Sequence, residues 1–501
     1  MKRNGISWIA GAILGLAAES HASPRIQPSP NILVIVSDQL SAAAVGAYGN
    51  RAVHTPNIDR LAARGVRFSR AYTTYPLCTP SRAALWTGRL PHETGISSNP
   101  VTGTESISAQ LPTLGSAFAA AGYEAVHFGK EHDAGSLRGF RREAVGQLPV
   151  RGTEAWPAGP ETARDRHTTD QAVEFLSRRQ ARPFLAVVDL INPHEVCSWV
   201  GRNEGPHEDQ PIPRPLPALP PNFELLDLEL RPIPVRYLCC THRRLAQAAR
   251  WSESNYRHYL AAYHHYVSRV DGEVGRILDA LDASPARNST LVVLLADHGD
   301  GMAAHRQVTK QANFYEEAVR VPFIAATPGG PRGVALEEAL VSLLDLLPTL
   351  CEYARVPVPE GVRGRSLLPW LRGGGRGPHH RYVVSQWHTE YGEAVTPGRM
   401  LRTDRYKYVR YLEGDGEELF DLAEDPGEMR TLVRDPAYAD ALGQQRALFT
   451  RYLQETNDPF LSLQVAVDPR WRSHPVGYRH HPGPSALDEA LTRARRPPGE
   501  P

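Results

Sequence analysis

The chain predicts an α/β fold: a doubly wound sheet flanked by helices, followed by a smaller α+β domain. Three observations carry that expectation. Two short, mainly apolar runs, NILVIV at 31–36 and LVVLL at 291–295, each lead into an aspartate-headed pair, Asp38-Gln39 and Asp297-His298, and suit buried parallel strands. Between them, helical patterns alternate with further apolar runs. Beyond the glycine-rich stretch at 373–381, short strand-like runs separated by polar turns take over.

Taken in order, the N-terminus has Lys2 and Arg3, the apolar ISWIAGAILGLAA and the small-residue site Ser20-His21-Ala22. That is the layout of a signal peptide over 1–22, with a mature chain from Ser23 that is periplasmic or secreted. The apolar run, about 13 residues, falls short of the ~20 a spanning helix needs. A catalytic domain is expected over 23–375. Its helical patterns are TPNIDRLAARGVRF, LPTLGSAFAAAGYEAVHFG, TTDQAVEFLSRR and YLAAYHHYVSRVDGEVGRILDALDAS, with FLAVVDLIN as a further strand. A proline-rich insertion at 199–250 reads as a surface excursion, and GGGRGPHHR at 373–381 as a linker. In a C-terminal subdomain over 376–470, RYVVSQW, RMLRTDRYKYVRYL and GEELFDL read as strands before a helix near 437–455. An irregular tail, rich in Pro, Arg and His, occupies 471–501, and no internal repeat is evident.

Composition excludes some functions. With 501 residues, 41% hydrophobic, 22% charged and a net charge of +1, the chain is an ordinary globular protein without a nucleic-acid footprint or polybasic anchor. An anionic ligand has to be met by local cations. The five cysteines, Cys78, Cys197, Cys239, Cys240 and Cys351, are an odd number without zinc-site spacing.

In open α/β sheets ligands sit outside the carboxyl ends of the strands. Asp38-Gln39 follow the first run and Asp297-His298 the second, so the four form one candidate cluster. Two carboxylates, an amide oxygen and an imidazole suit a divalent cation, Ca²⁺ first, with Mn²⁺ or Mg²⁺ as alternatives. Either acid alone also reads as a helix cap. Cys78 precedes a helix with Thr79 as N-cap, Pro80 in its first turn and Gly88 closing it, which places a thiolate at a positive helix end. A thiolate phosphatase loop needs arginine six residues after the cysteine, and residue 84 is Ala.

Cys78-Thr79-Pro80-Ser81-Arg82, followed by Ala83-Ala84-Leu85 and Thr87-Gly88-Arg89, resembles the signature of the type I, formylglycine-dependent sulfatases of the alkaline phosphatase superfamily. Other family-like segments are, in chain order, Asn31 to Gln39, His54 to Asp59, Gly129 to His132, Asn192-Pro193-His194, Asp297 to Asp300, Phe314 to Glu317, Val321-Pro322, Asp345 to Leu350, Leu419 to Leu422 and Asp425-Pro426.

The resemblance implies an alkaline-phosphatase-like mixed sheet with a C-terminal antiparallel sheet. It also implies that a maturation enzyme converts Cys78 to formylglycine, whose hydrate supplies the nucleophilic hydroxyl. Asp38, Asp297 and His298 are then metal ligands, and Gln39 is either a ligand or a neighbour. Many family members carry a second acid where this chain has Gln39, and Asn in place of His298; a subgroup shares the Asp-Gln and Asp-His pairs.

Sulfate-ester cleavage gathers negative charge around sulfur, so cations are required. Arg82 is expected to hold hydrate and sulfate oxygens, and Lys130 with His132 to bind sulfate and orient the hydrate. His194 is expected to protonate the leaving alcohol, and Lys310 to clamp a sulfate oxygen. His305 is a weaker candidate for substrate contact, and Asp300 either shapes the metal loop or only forms its turn. His388, Tyr391, Arg399 and Arg402 are read either as sugar-subsite residues or as plain surface. The expected activity is sulfate-ester hydrolysis, on a sulfated carbohydrate before other esters. The alternatives are a phosphonate monoester or phosphodiester hydrolase and a catalytically silent glycan binder.

Overall fold

The structure is a computed structural model that describes residues 29–99, 105–143, 160–202, 215–224, 251–310, 314–388, 397–412 and 416–463, with isolated positions between 231 and 248. The signal-peptide and tail segments and Tyr391 lie outside the described residues.

A nine-stranded sheet forms the centre. Its strands are β1 (Asn31–Ser37), β2 (Val66–Tyr72), β3 (Glu124–Gly129), β4 (Arg141–Glu143), β5 (Phe184–Leu190), β6 (Thr290–Ala296), β7 (Arg320–Val321), β8 (Phe323–Ala326) and β9 (Val334–Ser342). The order is β4-β3-β5-β1-β6-β8-β2-β7, with β9 also on β2. β4 through β6 run parallel, whereas β8 is antiparallel to both β6 and β2. The sheet is therefore mixed, and its parallel half carries the continuous apolar runs. Every residue of β5 and β6 is buried, as both-face burial beneath crossover helices demands.

The helices are α1 (Pro56–Arg64), α2 (Cys78–Thr87), α3 (Leu114–Ala120), α4 (Pro160–Ser177), α5 (Val196–Arg202), α6 (Glu253–Ala283), α7 (Leu346–Ala354) and α8 (Ala439–Thr456). In α6, Tyr256, Tyr259, Tyr263, Val267, Val270, Val274, Ile277 and Leu281 recur at helical spacing and are buried. Aromatic and aliphatic side chains of this size each contribute about 1.5–3 kcal/mol when fully buried.

A four-stranded antiparallel sheet follows: β10 (Val383–Trp387), β11 (Gly398–Arg402), β12 (Tyr406–Tyr411) and β13 (Glu417–Asp421). Leu442, Leu448, Phe449, Tyr452 and Leu453 of α8 cover one face, with Phe449 edge-on to Tyr408 at 5.6 Å.

Two expectations need correction here. The stretch 199–250 is not wholly a surface excursion: Phe223, Arg231, Val235 and Ala248 are buried, Phe223 packs edge-on against Tyr256, and Arg231 pairs with Glu418 of β13 at 2.9 Å. The segment at 373–381 ends in an anchored His379-His380 pair, both rings lying beside Asp345, so its second half is not a free linker.

Candidate active site

The parallel register puts four strand tips side by side. Val36 lies opposite Asp189 and Leu295, Ser37 opposite Leu190 and Ala296, and Gly129 opposite Asp189. Hence Asp38, Asp297, Asp189 and Lys130 all emerge at the carboxyl edge. The start of α2 closes this edge. Its first residue is Cys78, its N-cap is Leu77 and it has no side-chain cap, so Thr79 is a helical residue rather than the cap; Gly88, left-handed at φ 66°, ends the helix as expected.

All ten residues of α2 are buried. The Ser81 hydroxyl donates to the Asp297 carbonyl at 2.7 Å and the Thr79 amide donates to Asn99 at 3.0 Å, fixing the helix start on the sheet edge.

Cys78 Sγ lies 3.2 Å from His298 Nε2, 3.7 Å from Asp38 Oδ1 and 3.7 Å from Lys130 Nζ. The ligand atoms of Asp38, Cys78, Asp297 and His298 all lie within 4.8 Å of one another, and all four residues are buried. His298 Nδ1 is 2.9 Å from the Gly299 carbonyl, which only accepts, so Nδ1 carries a proton and Nε2 is the nitrogen turned to the cluster, free to ligate once a cation displaces any proton there. Two carboxylates and one imidazole lone pair fit a divalent cation. Burial and Asp38 push the Cys78 thiol up, but Lys130, Lys310 and His298 outweigh them and hold it well below its ordinary value.

Arg82 departs from expectation. Its Nε donates to Asp297 at 2.8 Å, one Nη to Asp189 and the other to Asp38 at 3.3 Å, with the side chain 1% exposed. The guanidinium holds three buried carboxylates together, which commits a donor on each of its nitrogens to the protein. Lys130 reaches the cluster as expected, paired with Asp38. Against burial, Lys130, then His194, Lys310 and Arg82, hold the Asp38 carboxyl well below its ordinary value.

Gln39, left-handed at φ 69°, turns its side chain away from that group. Its amide donates to Asp300 at 2.7 Å, and its oxygen accepts from Lys310 at 2.7 Å and from Cys197 at 3.2 Å. It stands as a neighbour that links Lys310 to the metal loop. Asp300 in turn accepts from the Tyr259 hydroxyl and the Met302 amide, and Tyr263 donates to the Gln39 carbonyl at 2.7 Å. Burial pushes the Asp300 carboxyl up to about 6. Asp300 therefore shapes the loop rather than only forming a turn.

A model of the family described as "Sulfatase" matches residues 30–356, and a C-terminal model described as "N-sulphoglucosamine sulphohydrolase, C-terminal" matches 305–455. The chain belongs to the sulfatase family. This sulfatase is an enzyme, a sulfuric ester hydrolase.

It is 48% identical over 473 residues to the Delta 4,5-hexuronate-2-O-sulfatase of Bacteroides thetaiotaomicron, covering 93% of this chain and 98% of that one. A solved structure of a 2-O GAG sulfatase superposes with a TM-score of 0.86 at 48% identity, over 91% of this chain and 98% of the other. The phosphonate monoester hydrolase of Agrobacterium radiobacter, at 23% identity, 85% and 96% coverage and TM-score 0.68, shares the fold alone. Membership of the family brings a bound metal and a formylglycine at the signature cysteine in general terms.

The remaining candidates divide. Lys310 lies in the sulfatase's buried cluster, and half-buried His194 is close enough to Asp38 to act on its charge. The His194 loop is positioned by Asp165, which accepts from the Ile191 and Asn192 amides at 2.6 and 2.9 Å. His132 is half-buried beyond the tip of β3.

His305 is buried and stacked on Tyr315 at 3.9 Å, and burial first, then Arg231 and Lys407, push its imidazole down to about 3, so a substrate contact is not supported. Arg399 is bidentate to Asp458 at 2.7 and 2.9 Å and lies over Phe460, and Arg402 is bonded to Tyr72 at 3.1 Å; both are buried structural residues, not sugar contacts or surface. His388 is half-buried, its amide donating to Tyr75 at 2.7 Å.

Sequence reasoning missed Asp189, Cys197, Asp165, Tyr259 and Tyr263. Only Asp189 carried a signal, a lone acid inside the apolar run FLAVVDLIN.

Proposed function

We propose that this enzyme is an exported, Ca²⁺-dependent sulfatase that removes sulfate from a carbohydrate, at O2 of an unsaturated uronate. The observation that carries the reading is Cys78 Sγ held between His298 and Asp38 at the head of a buried helix. In the proposed mature enzyme a maturation enzyme has replaced that sulfur with an aldehyde hydrate, so Sγ marks the place of an oxygen nucleophile. The uronate assignment rests on the 48% identity to the named hexuronate sulfatase, and export rests on the N-terminal sequence pattern.

Asp38, Asp297, His298 and residue 78 would hold the cation, which supplies charge neutralisation for sulfate and acidifies the hydrate hydroxyl. Lys130 and Lys310 bring fixed positive charge to the same point and bind the sulfate oxygens. In the mature enzyme a residue-78 hydroxyl that had lost its proton to solvent beside the cation would attack sulfur as the bond from sulfur to the sugar oxygen breaks, and a protonated His194 would give that oxygen its proton. His194, left neutral, would then take the proton of the second hydroxyl as the carbon–oxygen bond to sulfate breaks, and water would rehydrate the aldehyde. Arg82, buried beneath, keeps Asp38 and Asp297 together without touching substrate.

The test is a panel of defined substrates: an unsaturated 2-O-sulfated uronate disaccharide, its saturated counterpart, a 6-O-sulfated glucosamine and an aryl phosphodiester. Fastest turnover of the first is expected, abolished by chelator and restored by Ca²⁺. Preference for the phosphodiester would move the enzyme to phosphonate hydrolase chemistry, and preference for the glucosamine would retain sulfatase activity but remove the uronate. Peptide mass spectrometry across Thr74 to Arg82, after co-expression with the maturation enzyme, is expected to find the aldehyde; an unmodified thiol would leave a glycan binder.

A further inference from the structure

A second cluster of ligating side chains lies outside the active site, where the catalytic domain meets the chain entering the C-terminal sheet. Asp345 stands at the head of α7, and His379 and His380 lie just before β10. One ligand atom from each lies within 4.8 Å of the other two.

The carboxylate is held rigidly. Its Oδ1 accepts from the Arg365 amide at 2.8 Å and its Oδ2 from the Ser342 amide at 2.9 Å. His380 Nε2 lies 2.8 and 2.9 Å from the two oxygens.

His379 supplies an independent observation. The residue is 5% exposed, and its Nε2 is 3.3 Å from Asp345 Oδ2 but makes no hydrogen bond. A buried imidazole nitrogen that faces a carboxylate without a well-directed hydrogen bond is costly unless something else satisfies it. The ring is fixed in that aim by an edge-on contact with Trp370 at 4.6 Å and by His380 at 4.5 Å.

The donor set decides the chemistry. Two imidazoles and one carboxylate favour a nitrogen-preferring ion of the zinc type, unlike the oxygen-rich catalytic group. Tetrahedral ligands about 2.0–2.1 Å from zinc are roughly 3.3 Å apart. His379 Nε2 already has that spacing to Asp345, and His380 reaches it by a shift of about half an ångström. A cavity of about 350 Å³ adjoins Asp345 and His380, with Arg363, Arg365, Tyr382 and Tyr452 also in its lining, and has room for a water ligand.

We propose that Asp345, His379 and His380 form a structural site for Zn²⁺ or a similar divalent transition-metal ion, which pins the entry of the C-terminal sheet to the catalytic domain. This inference does not rest on the proposed substrate. The experiment uses the full-length enzyme, stripped with chelator, saturated with Ca²⁺ and then given one equivalent of Zn²⁺. Metal content is measured by mass spectrometry, and crystals are examined for anomalous scattering at the zinc edge. The comparison variants are His380→Asn and His379→Gln, the latter leaving the Asp345–His380 pair intact; circular dichroism establishes that each is folded.

An anomalous peak among the three side chains is expected, with zinc affinity lower by roughly tenfold or more in each folded variant. A zinc-dependent rise in melting temperature should occur in the wild type alone. A peak confined to the Asp38 group, or equal zinc uptake by wild type and folded variants, overturns the proposal.

Discussion

Cys78 illustrates how one atom changes the outcome at this site. Cys78→Ser retains a hydroxyl able to attack sulfur but has no second hydroxyl with which to expel sulfate. The expected outcome is a single turnover that leaves sulfate on residue 78, detected by intact-mass measurement after incubation with substrate; steady turnover by this variant would remove the aldehyde from the mechanism. Arg82 sets a second test. Asp189→Asn takes one carboxylate from a guanidinium that bridges three, and breaking a buried charge network of this kind costs about 3–5 kcal/mol. The melting temperature should fall, and kcat should fall with it as Arg82, released on its Asp189 side, holds Asp38 and Asp297 less firmly. Unchanged melting and turnover would show that Arg82 is not the brace its contacts describe. Arg82 was legible as important from its spacing to Cys78, but its partners were not, because Asp189 comes from a strand more than one hundred residues away.

The elements legible in the sequence are those whose pattern is local. The apolar runs of β1, β5 and β6 and the four C-terminal strands had to be buried or half-buried sheet whatever surrounded them. β7 to β9 escaped notice because β7 and β8 have only two and four residues, and in β9 the adjacent Glu337 and Glu338 break the alternation of a half-exposed strand. The tyrosines of α6 read as core positions, yet Tyr259 and Tyr263 also tie down Asp300 and Gln39, which only the fold reveals. Strand ends carry the site, so their backbone is constrained. Gly129, at the tip of β3, has φ +98°, and a Cβ there would lie 2.1 Å from the Asp189 carbonyl oxygen. Gly129→Ala should cost about 1–3 kcal/mol and move Lys130 off Asp38. A drop in kcat/KM of about tenfold or more checks the displacement, with the urea midpoint reporting the strain.

The two domains are joined by buried charge as well as by apolar contact. Lys407 of β12 lies 2.9 Å from Glu316 and 2.7 Å from Glu428, and donates to the Phe314 carbonyl at 2.8 Å. Burial alone would raise the Glu316 carboxyl, but Lys407, Arg320 and Arg402 bring it down to about 2. Burial pushes Glu428 up to about 8, with Glu316 and Glu317 adding to the rise and Lys407 opposing it. The signs differ. Glu316, lowered in the folded state, contributes stability above its ordinary value of 4.5 and loses it as pH falls toward 2. Glu428, raised, contributes stability below 4.5 and loses it as pH rises to about 8. Their joint contribution is therefore greatest near pH 4.5 and declines toward pH 8. Glu428→Gln keeps a neutral acceptor in place and removes only the second arm. The loss of unfolding free energy between pH 5 and pH 8, measured by urea denaturation at fixed Ca²⁺, should be smaller in Glu428→Gln by at least about 1 kcal/mol. Equal pH slopes in the two proteins would mean that Glu428 is already ionised against Lys407, and that the pH response of the joint between the domains lies elsewhere.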